Sequence, residues 1–287
     1  MALIGTLTSG VSALRTFSKG LEVIGNNIAN LNTTSYKASN ASFTDSFSNT
    51  LRSSAPSNGT VSSMPGLQIG TGVQLTSITT NFSQGALQTT GVTTDLGISG
   101  AGFFIVKDAT NSAQFATRDG SFRIDDSGYL VTQAGMRVQG LTGANPPTTV
   151  GDIQIGQNLP TGAQLQSISI DRNGNVNEFF SDGTSASFNR LQLQNFNDTS
   201  ALMRDGNNLY SALDAAGPVG GGILAGSNNP SEDGLGSIQA GVLESSNVDL
   251  TAQFSDLITT QRSFQAGSRL ITVSDTVLED IVNLKRN

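Results

Sequence analysis

The chain has 287 residues, a formal net charge of -7 and only 13% charged residues. It contains neither histidine nor cysteine, which excludes catalytic histidine triads, disulfides and thiolate metal sites. Nucleic acid is not an expected partner, because an acidic chain attracts few phosphates. No cofactor is predicted. We also expect no membrane span, since no run approaches the roughly 18 consecutive apolar residues that a spanning helix needs.

The first thirty residues carry a helical pattern. Apolar residues recur at helical spacing and several lie seven apart, which predicts a helix over about residues 3–30. Asparagines crowd its end, and Asn tolerates the left-handed conformation that terminates helices. Four glycines each cost about 1 kcal/mol of helicity, so this helix should not be stable alone. The apolar stripe consists of Leu7, Val11, Leu14, Leu21, Ile24 and Ile28.

The C-terminal segment repeats this pattern over a greater length. Ser246 and Asp249 have the spacing of a capping box ahead of the apolar run, and Lys285 and Arg286 near the end suit the helix dipole. At 1.5 Å per residue the predicted helix is about 55–60 Å long, which exceeds the width of an ordinary domain. Its stripe consists of Phe254, Leu257, Phe264, Ile271 and Leu278.

These two stripes have two interpretations. The simpler one is that both helices pack on a single core. We favour the other, in which the two ends pair with each other and with neighbouring copies, so that helix formation is coupled to assembly. The stripe residues are then predicted subunit-interface positions.

The middle of the chain changes character. Residues 33–66 are rich in Ser, Thr and Asn and predict an extended linker, whereas residues 67–245 show short alternating runs separated by turn residues. Hairpins are predicted over residues 122–131 and 168–180. The predicted fold class is α+β: paired long N- and C-terminal helices, coiled-coil-like, over residues 1–32 and 246–287, plus a central all-β domain of about eight to ten strands.

Candidate chemistry is sparse. Asp125 and Asp126 could form a carboxylate pair, but they are interpreted as a hairpin loop. Asp171, Asn173 and Asn175 place oxygens at alternate positions as in a calcium loop, but Val176 stands where that loop needs glycine, so a hairpin turn is favoured. Residues 117–120 are interpreted as a turn with a local ion pair. No catalytic constellation is found, and we predict that the chain is not an enzyme.

Several motifs resemble those of the bacterial flagellar hook and rod proteins, in the same order and along nearly the whole chain. The first is Val23-Ile24-Gly25-Asn26-Asn27-Ile28-Ala29-Asn30, followed by Tyr36-Lys37. Similar segments follow at 66–73, 95–104, 118–122 and 245–249, with Gln261, Arg262 and Phe264 in the last helix. The motif residues of interest are Asn26, Asn27, Asn30, Tyr36, Lys37 and Asn247. Ser35 departs from the pattern, because the family usually has glycine there.

This resemblance implies a structural subunit of an axial tube in the flagellar hook–basal body. Its terminal helices would line a central channel and its β domain would lie outside. It implies a homo-oligomer that contacts adjoining rod or hook-junction proteins. The subunit would be exported unfolded by the flagellar type III apparatus without a cleaved signal peptide.

Two choices stay open within this interpretation. The sequence of residues 21–25 resembles that of the hook protein, and we favour the hook. The polymer would then pass motor torque to the filament. The modest length and residues 40–66 resemble the distal rod, whose extra segment at this place is held to stiffen the tube. The competing classes are a polysaccharide hydrolase with two acids facing one cleft and a secreted β adhesin.

Overall fold

In the computed structural model the chain divides into two compact units. Unit 1 contains Met1–Leu31, Ala38–Asn81 and Val248–Asn287, and unit 2 contains Asn32–Lys37 and Phe82–Asn247. The structure describes residues 2–54, 56, 63–143, 146–157, 163–224, 228–232 and 234–286. Within these ranges, no helix combines the length and the apolar character needed to cross a bilayer.

Unit 1 is built from two long helices and two β ribbons. The helices are α1 (Ala2–Ala29) and α2 (Leu250–Arg286). In the first ribbon β1 (Ser39–Asp45) pairs antiparallel with β4 (Val73–Thr80). In the second, β2 (Ser48–Arg52) pairs antiparallel with β3 (Leu67–Gly70).

The start of α2 differs from the predicted capping box. Asp249 lies just before the helix, and its Oδ1 accepts hydrogen bonds from the backbone N–H groups of Thr251 and Ala252 at 2.8 and 3.3 Å. Asp249 is therefore the N-cap rather than the third helical residue. At 37 residues, α2 is about 55 Å long, as predicted.

Strands β1 and β2 occupy part of the segment predicted as a linker. They were missed because their partners, β4 and β3, lie further along the chain, and pairing at that distance leaves no local periodicity. The same pairing places residues 67–81 in unit 1 rather than in the β domain. Within the predicted linker, Ala55 and residues 57–62 lie outside the described residues.

The named strands of unit 2 pair antiparallel, and a short 3₁₀ helix spans Thr199–Ala201. Its main sheet runs in the order β13-β14-β15-β11-β7-β8-β17-β16, with β9, β10 and β12 attached; β6 pairs with β18 and β5 with β19. The strands are β5 (Leu87–Thr89), β6 (Leu96–Ser99), β7 (Phe104–Lys107), β8 (Gln114–Thr117), β9 (Arg123–Ile124), β10 (Leu130–Val131), β11 (Arg137–Thr142), β12 (Thr149–Asp152), β13 (Leu165–Ile170), β14 (Asn175–Phe180), β15 (Ser185–Leu191), β16 (Met203–Gly206), β17 (Leu209–Ser211), β18 (Ser237–Ala240) and β19 (Val242–Glu244).

Both predicted hairpins are confirmed, as β9–β10 and β13–β14. The described strands of unit 2 are more numerous than the eight to ten predicted, because many of them contain only two to four residues. Gly100 and Gly102 separate β6 from β7 with φ of 114° and 127°, a conformation that favours glycine. Unit 2 buries two apolar clusters, one including Phe104 and one including Phe103. The α+β class is confirmed.

Candidate functional site

The two helices of unit 1 contact each other in antiparallel directions along a seam of small and polar residues. Thr6 and Ser274 hydroxyls are 3.2 Å apart at one end. At the other end Asn27 Nδ2 donates to Gln253 Oε1 at 2.9 Å. Between these ends, a Cβ placed on Gly267 would lie 3.7 Å from the Ala13 Cβ, and one placed on Gly20 would lie 3.6 Å from Thr260 Cγ2. The seam therefore consists of Thr6, Ala13, Gly20, Asn27, Gln253, Thr260, Gly267 and Ser274.

The predicted stripes lie mostly beside this seam rather than at its centre. Large apolar residues flank the seam because helices that approach closely need small residues between their backbones. A Cβ placed on Gly267 would lie 3.6 Å from Leu14 Cδ2, and one placed on Gly10 would lie 2.9 Å from Ile271 Cγ1. Most stripe residues are half-buried: Leu7, Leu14, Leu21, Ile24, Ile28, Leu257, Phe264, Ile271 and Leu278. Val11 and Phe254 are 39% and 51% exposed and are not buried beside the seam.

Helix α2 carries a second apolar face that the sequence reasoning missed. Its residues recur at spacings of three and four, a helical period offset from the predicted stripe. Each is between 41% and 60% exposed. We call this face the outer stripe: Leu270, Val273, Val277 and Ile281.

The asparagines of the N-terminal motif have separate roles. Asn27 is 1% exposed; besides its bond to Gln253, it donates to Ser39 O at 2.8 Å and accepts from Ser39 N at 2.9 Å. Asn30 Nδ2 donates to Asn26 O and Oδ1 at 2.9 Å each, at the end of α1. Asn27 thus links α1, β1 and α2, and Asn26 and Asn30 form part of the helix end.

In unit 2, the lysine of the motif is part of a buried charge cluster. Lys37 Nζ lies 2.6 Å from Glu244 Oε1, and both side chains are fully buried. Lys37 also donates to Ser83 O at 2.9 Å, and Gly85 N donates to Glu244 Oε1 at 2.8 Å. Burial lowers the pKa of Lys37, against the opposing effect of its hydrogen bond to Glu244.

Arg118 is a second cation in this cluster, and the predicted local ion pair with Asp119 is wrong. Arg118 Nη1 lies 3.8 Å from Glu244 Oε2, and its guanidinium lies 5.2 Å from the Phe103 ring centroid. Burial lowers the pKa of Arg118. The cluster therefore holds two cations and one carboxylate from residues far apart in sequence.

Residues beside Lys37 dock on the same part of unit 2. Ser35 has a left-handed φ of 55°, where the resembled family usually has glycine; its Oγ donates to Arg118 O at 2.9 Å and its N to Glu244 O at 2.7 Å. The Arg204 guanidinium lies 4.7 Å from the Tyr36 ring centroid. Asn247 Nδ2 donates to Ser83 O at 3.0 Å. The motif residues Tyr36, Lys37 and Asn247 thus act in folding unit 2.

The other candidate acids form turns. Asp125 Oδ1 accepts from Ser127 N at 2.9 Å and Tyr129 N at 2.8 Å, and Asp171 Oδ1 accepts from Asn173 N and Asn175 N at 2.9 Å. These are hairpin-turn bonds, as predicted.

A cleft of about 370 Å³ also lies in unit 2. Its described lining includes the hydroxyls of Thr117, Ser121 and Thr132, and Asp119 as its one carboxylate. Burial raises the pKa of Asp119. The two facing acids that a polysaccharide hydrolase would need are not present among these residues.

Three family models match the chain. Residues 7–37 match the flagella basal body rod protein model, residues 97–178 match the D1 domain of the flagellar hook protein FlgE/F/G, and residues 239–284 match the C-terminal region of the flagellar basal body rod FlgEFG protein. The three matches follow one another in the order that the sequence motifs indicate.

Relatives match over nearly the whole chain. The flagellar basal-body rod protein FlgG of Bacillus subtilis is 37% identical over 284 residues, covering 99% of this chain and 100% of the relative. The chain belongs to the flagellar hook and basal-body rod family. FlgG of Agrobacterium fabrum is 34% identical over 96% of both chains, and the hook protein FlgE of Treponema pallidum is 24% identical over 99% of this chain and 100% of its own length. The family is structural and non-enzymatic, so the chain is a structural subunit of the flagellar hook–basal body.

Proposed function

We propose that the chain is a subunit of the basal-body rod, which polymerises into a tubular axial structure and transmits motor torque. The similarity to the two FlgG proteins supports the rod, because both align over nearly their full lengths at 37% and 34% identity. The Treponema hook protein aligns over 471 positions at 24% identity, so that alignment contains long gaps opposite this chain of 287 residues.

The outer stripe supports polymerisation. An apolar face of this length on a helix already packed along another side is typical of a surface that a second protein covers. We propose that copies of the chain cover it, with α1 and α2 packed in a coiled-coil-like manner within and between subunits. The half-buried residues beside the seam would complete this interface, as predicted for Leu14, Leu257 and Phe264.

The β2–β3 ribbon supplies a second apolar surface. Phe47, before β2, is 85% exposed, and Leu51, Leu67 and Ile69 are 52–58% exposed. Residues 40–66 resemble the distal-rod segment that is held to stiffen the tube, and we infer that this ribbon contacts neighbouring copies. The other partners proposed are adjoining rod or hook-junction proteins and, before assembly, the flagellar export apparatus.

The hook is the second candidate, because residues 21–25 resemble the hook protein. Imaging of basal bodies from a strain that lacks this gene separates the two candidates. A strain without its hook protein keeps a complete rod. A strain without this rod protein has an incomplete one, which is the expected result; a complete rod without a hook would overturn the rod assignment.

A matched pair of substitutions on α2 tests polymerisation. Leu270→Asp places a charge in the outer stripe, and Thr272→Asp places the same charge about 200° further around the helix, on an exposed polar position. We expect Leu270→Asp to abolish tubes in negative-stain images while unit 2 stays folded, and Thr272→Asp to permit them. Tubes formed normally by Leu270→Asp would contradict the proposed role of the outer stripe.

A further inference from the structure

The seam between α1 and α2 repeats every seven residues on both helices. On α1 its members are Thr6, Ala13, Gly20 and Asn27, and on α2 they are Gln253, Thr260, Gly267 and Ser274. Large apolar residues beside the seam repeat with the same period. Opposing seam residues are small or polar at every level, so no level has a bulky side chain that fits only one partner.

A repeat of this kind also accepts a second pairing. If α2 moved by seven residues, about 10 Å along its axis, Ala13 would face Ser274 and Gly20 would face Gly267. These two pairs again consist of small residues, and Thr6 would face Ile281, seven residues after Ser274. Helix α2 has 37 residues and α1 has 28, so its longer C-terminal part, including the exposed Ile281, would come alongside α1. The residues displaced from the beginning of α2 would form a loop.

Two polar contacts between seam residues exist only in the observed register: Thr6 with Ser274, where Thr6 is exposed, and Asn27 with Gln253, where both residues are buried. Asn27 is held by two hydrogen bonds to the backbone of Ser39, which fixes its amide relative to β1. Its bond to Gln253 at 2.9 Å forms in the observed register, and both side chains are buried. In the shifted register Gln253 would lie about 10 Å further along the helix axis, and its hydrogen bond to Asn27 would be lost. A buried polar contact at a single level is a known device for fixing helix register.

We propose that the buried Asn27–Gln253 hydrogen bond selects the register of the helix pair, against a register shifted by seven residues in which small residues again face one another in the middle of the seam. Gln253 is the residue of α2 that makes the selecting hydrogen bond. Asn27 is its partner on α1 and is held in place by its hydrogen bonds to Ser39 of β1. Both are positioning residues, and the apolar residues beside the seam supply the attraction in either register.

Paired cysteines report the register directly, because the chain has no native cysteine. Ala13→Cys with Gly267→Cys reports the observed register, since the two Cβ positions are 3.7 Å apart, within the range of a disulfide. Ala13→Cys with Ser274→Cys reports the shifted register. Both pairs are made in the full-length chain and oxidised before and after polymerisation. Intramolecular crosslinks are distinguished from crosslinks between copies by electrophoretic mobility.

The selecting bond is then removed in each cysteine background. Gln253→Met keeps the length of the side chain but not its acceptor, and Gln253→Glu keeps an acceptor. Thr16→Val is the matched control, since it removes the hydrogen bond from Thr16 Oγ1 to Val73 O, which does not involve α2. We expect the Ser274 crosslink to rise at least tenfold in Gln253→Met alone, with a matching fall of the Gly267 crosslink.

Three results would overturn the proposal. The first is an undiminished Gly267 crosslink in Gln253→Met with no Ser274 crosslink. The second is the same rise of the Ser274 crosslink in Thr16→Val. The third is loss of both crosslinks in Gln253→Met, which would mean that the bond holds the helices together rather than choosing between registers.

Discussion

The two units differ in how far their apolar side chains are buried. Among the described residues, unit 2 contains nearly all of the buried hydrophobic side chains, in clusters around Phe103 and Phe104, whereas those of unit 1 are Ala38 and Val248. Unit 1 instead exposes the outer stripe and the apolar residues of the β2–β3 ribbon. Burial of apolar surface is the main source of stability, so unit 2 has more of this stabilisation within itself than unit 1 has.

Hydrogen exchange gives the largest expected effect. In the unpolymerised chain we expect amides of α1 and α2 to exchange at least about 1,000-fold faster than those of β7 and β8, because local opening is cheap where little apolar surface is buried. Polymerisation should slow the helical amides by a similar factor. Helices as well protected as the core strands before polymerisation would remove the distinction between the units.

Breaking the charge cluster should destabilise unit 2 strongly. Lys37→Met leaves the buried Glu244 with Arg118, 3.8 Å away, as its remaining charged partner, and loss of one partner of a buried ion pair costs about 3–5 kcal/mol. Urea unfolding followed by tyrosine fluorescence measures this, since Tyr36, Tyr129 and Tyr210 all lie in unit 2. The double variant Lys37→Met with Glu244→Leu should recover most of the loss; a loss of less than about 1 kcal/mol in the single variant would contradict this account.

Substitutions of Ser35 should change the stability of unit 2 by a smaller amount, and two of them can be compared with each other. Ser35→Ala removes the hydrogen bond to Arg118 O, worth about 1 kcal/mol, and keeps the left-handed φ. Ser35→Gly removes the same bond but relieves a conformation that costs a non-glycine residue about 1–2 kcal/mol. We therefore expect Ser35→Gly to unfold at higher urea concentration than Ser35→Ala. The reverse order would show that φ at this position carries no strain.

The smallest effect concerns pH. Burial raises the pKa of Glu178 above its ordinary value of 4.5. At pH values between 4.5 and the raised pKa of Glu178, the folded chain binds more protons than the unfolded chain. The contribution of Glu178 to stability is therefore present at low pH and is lost as the pH rises through this range. Glu178→Gln should flatten the fall in unfolding free energy of unit 2 above pH 4.5. An unchanged slope would assign the pH dependence to other groups.

Local signals predicted the long helices and tight turns well. The seven-residue spacing and the terminal asparagines placed α1 at 3–30, against Ala2–Ala29 in the structure. The turns at Asp125 and Asp171 followed from side chains that bond their own backbone. These features depend on residues within a few positions of one another.

Features that depend on distant partners were not predictable. Strand β1 pairs with β4, whose partner residues lie 28 to 41 positions later, and Arg118 contacts Glu244 across 126 positions. The outer stripe was overlooked because α2 is apolar on two sides, and the spacing of the first side was taken to account for the whole helix. The motif lysine, Lys37, was recognised by resemblance, but its burial has no signature in the neighbouring sequence.

The glycines at the helix contact limit how closely the two helices can approach. A Cβ placed on Gly10 would lie 2.9 Å from Ile271 Cγ1, whereas one placed on Gly267 would lie 3.6 Å from Leu14 Cδ2, an ordinary contact distance. Alanine at Gly10 would therefore require Ile271 to shift, and alanine at Gly267 would fit. The spacing of α1 and α2 thus depends on one of these two glycines more than on the other.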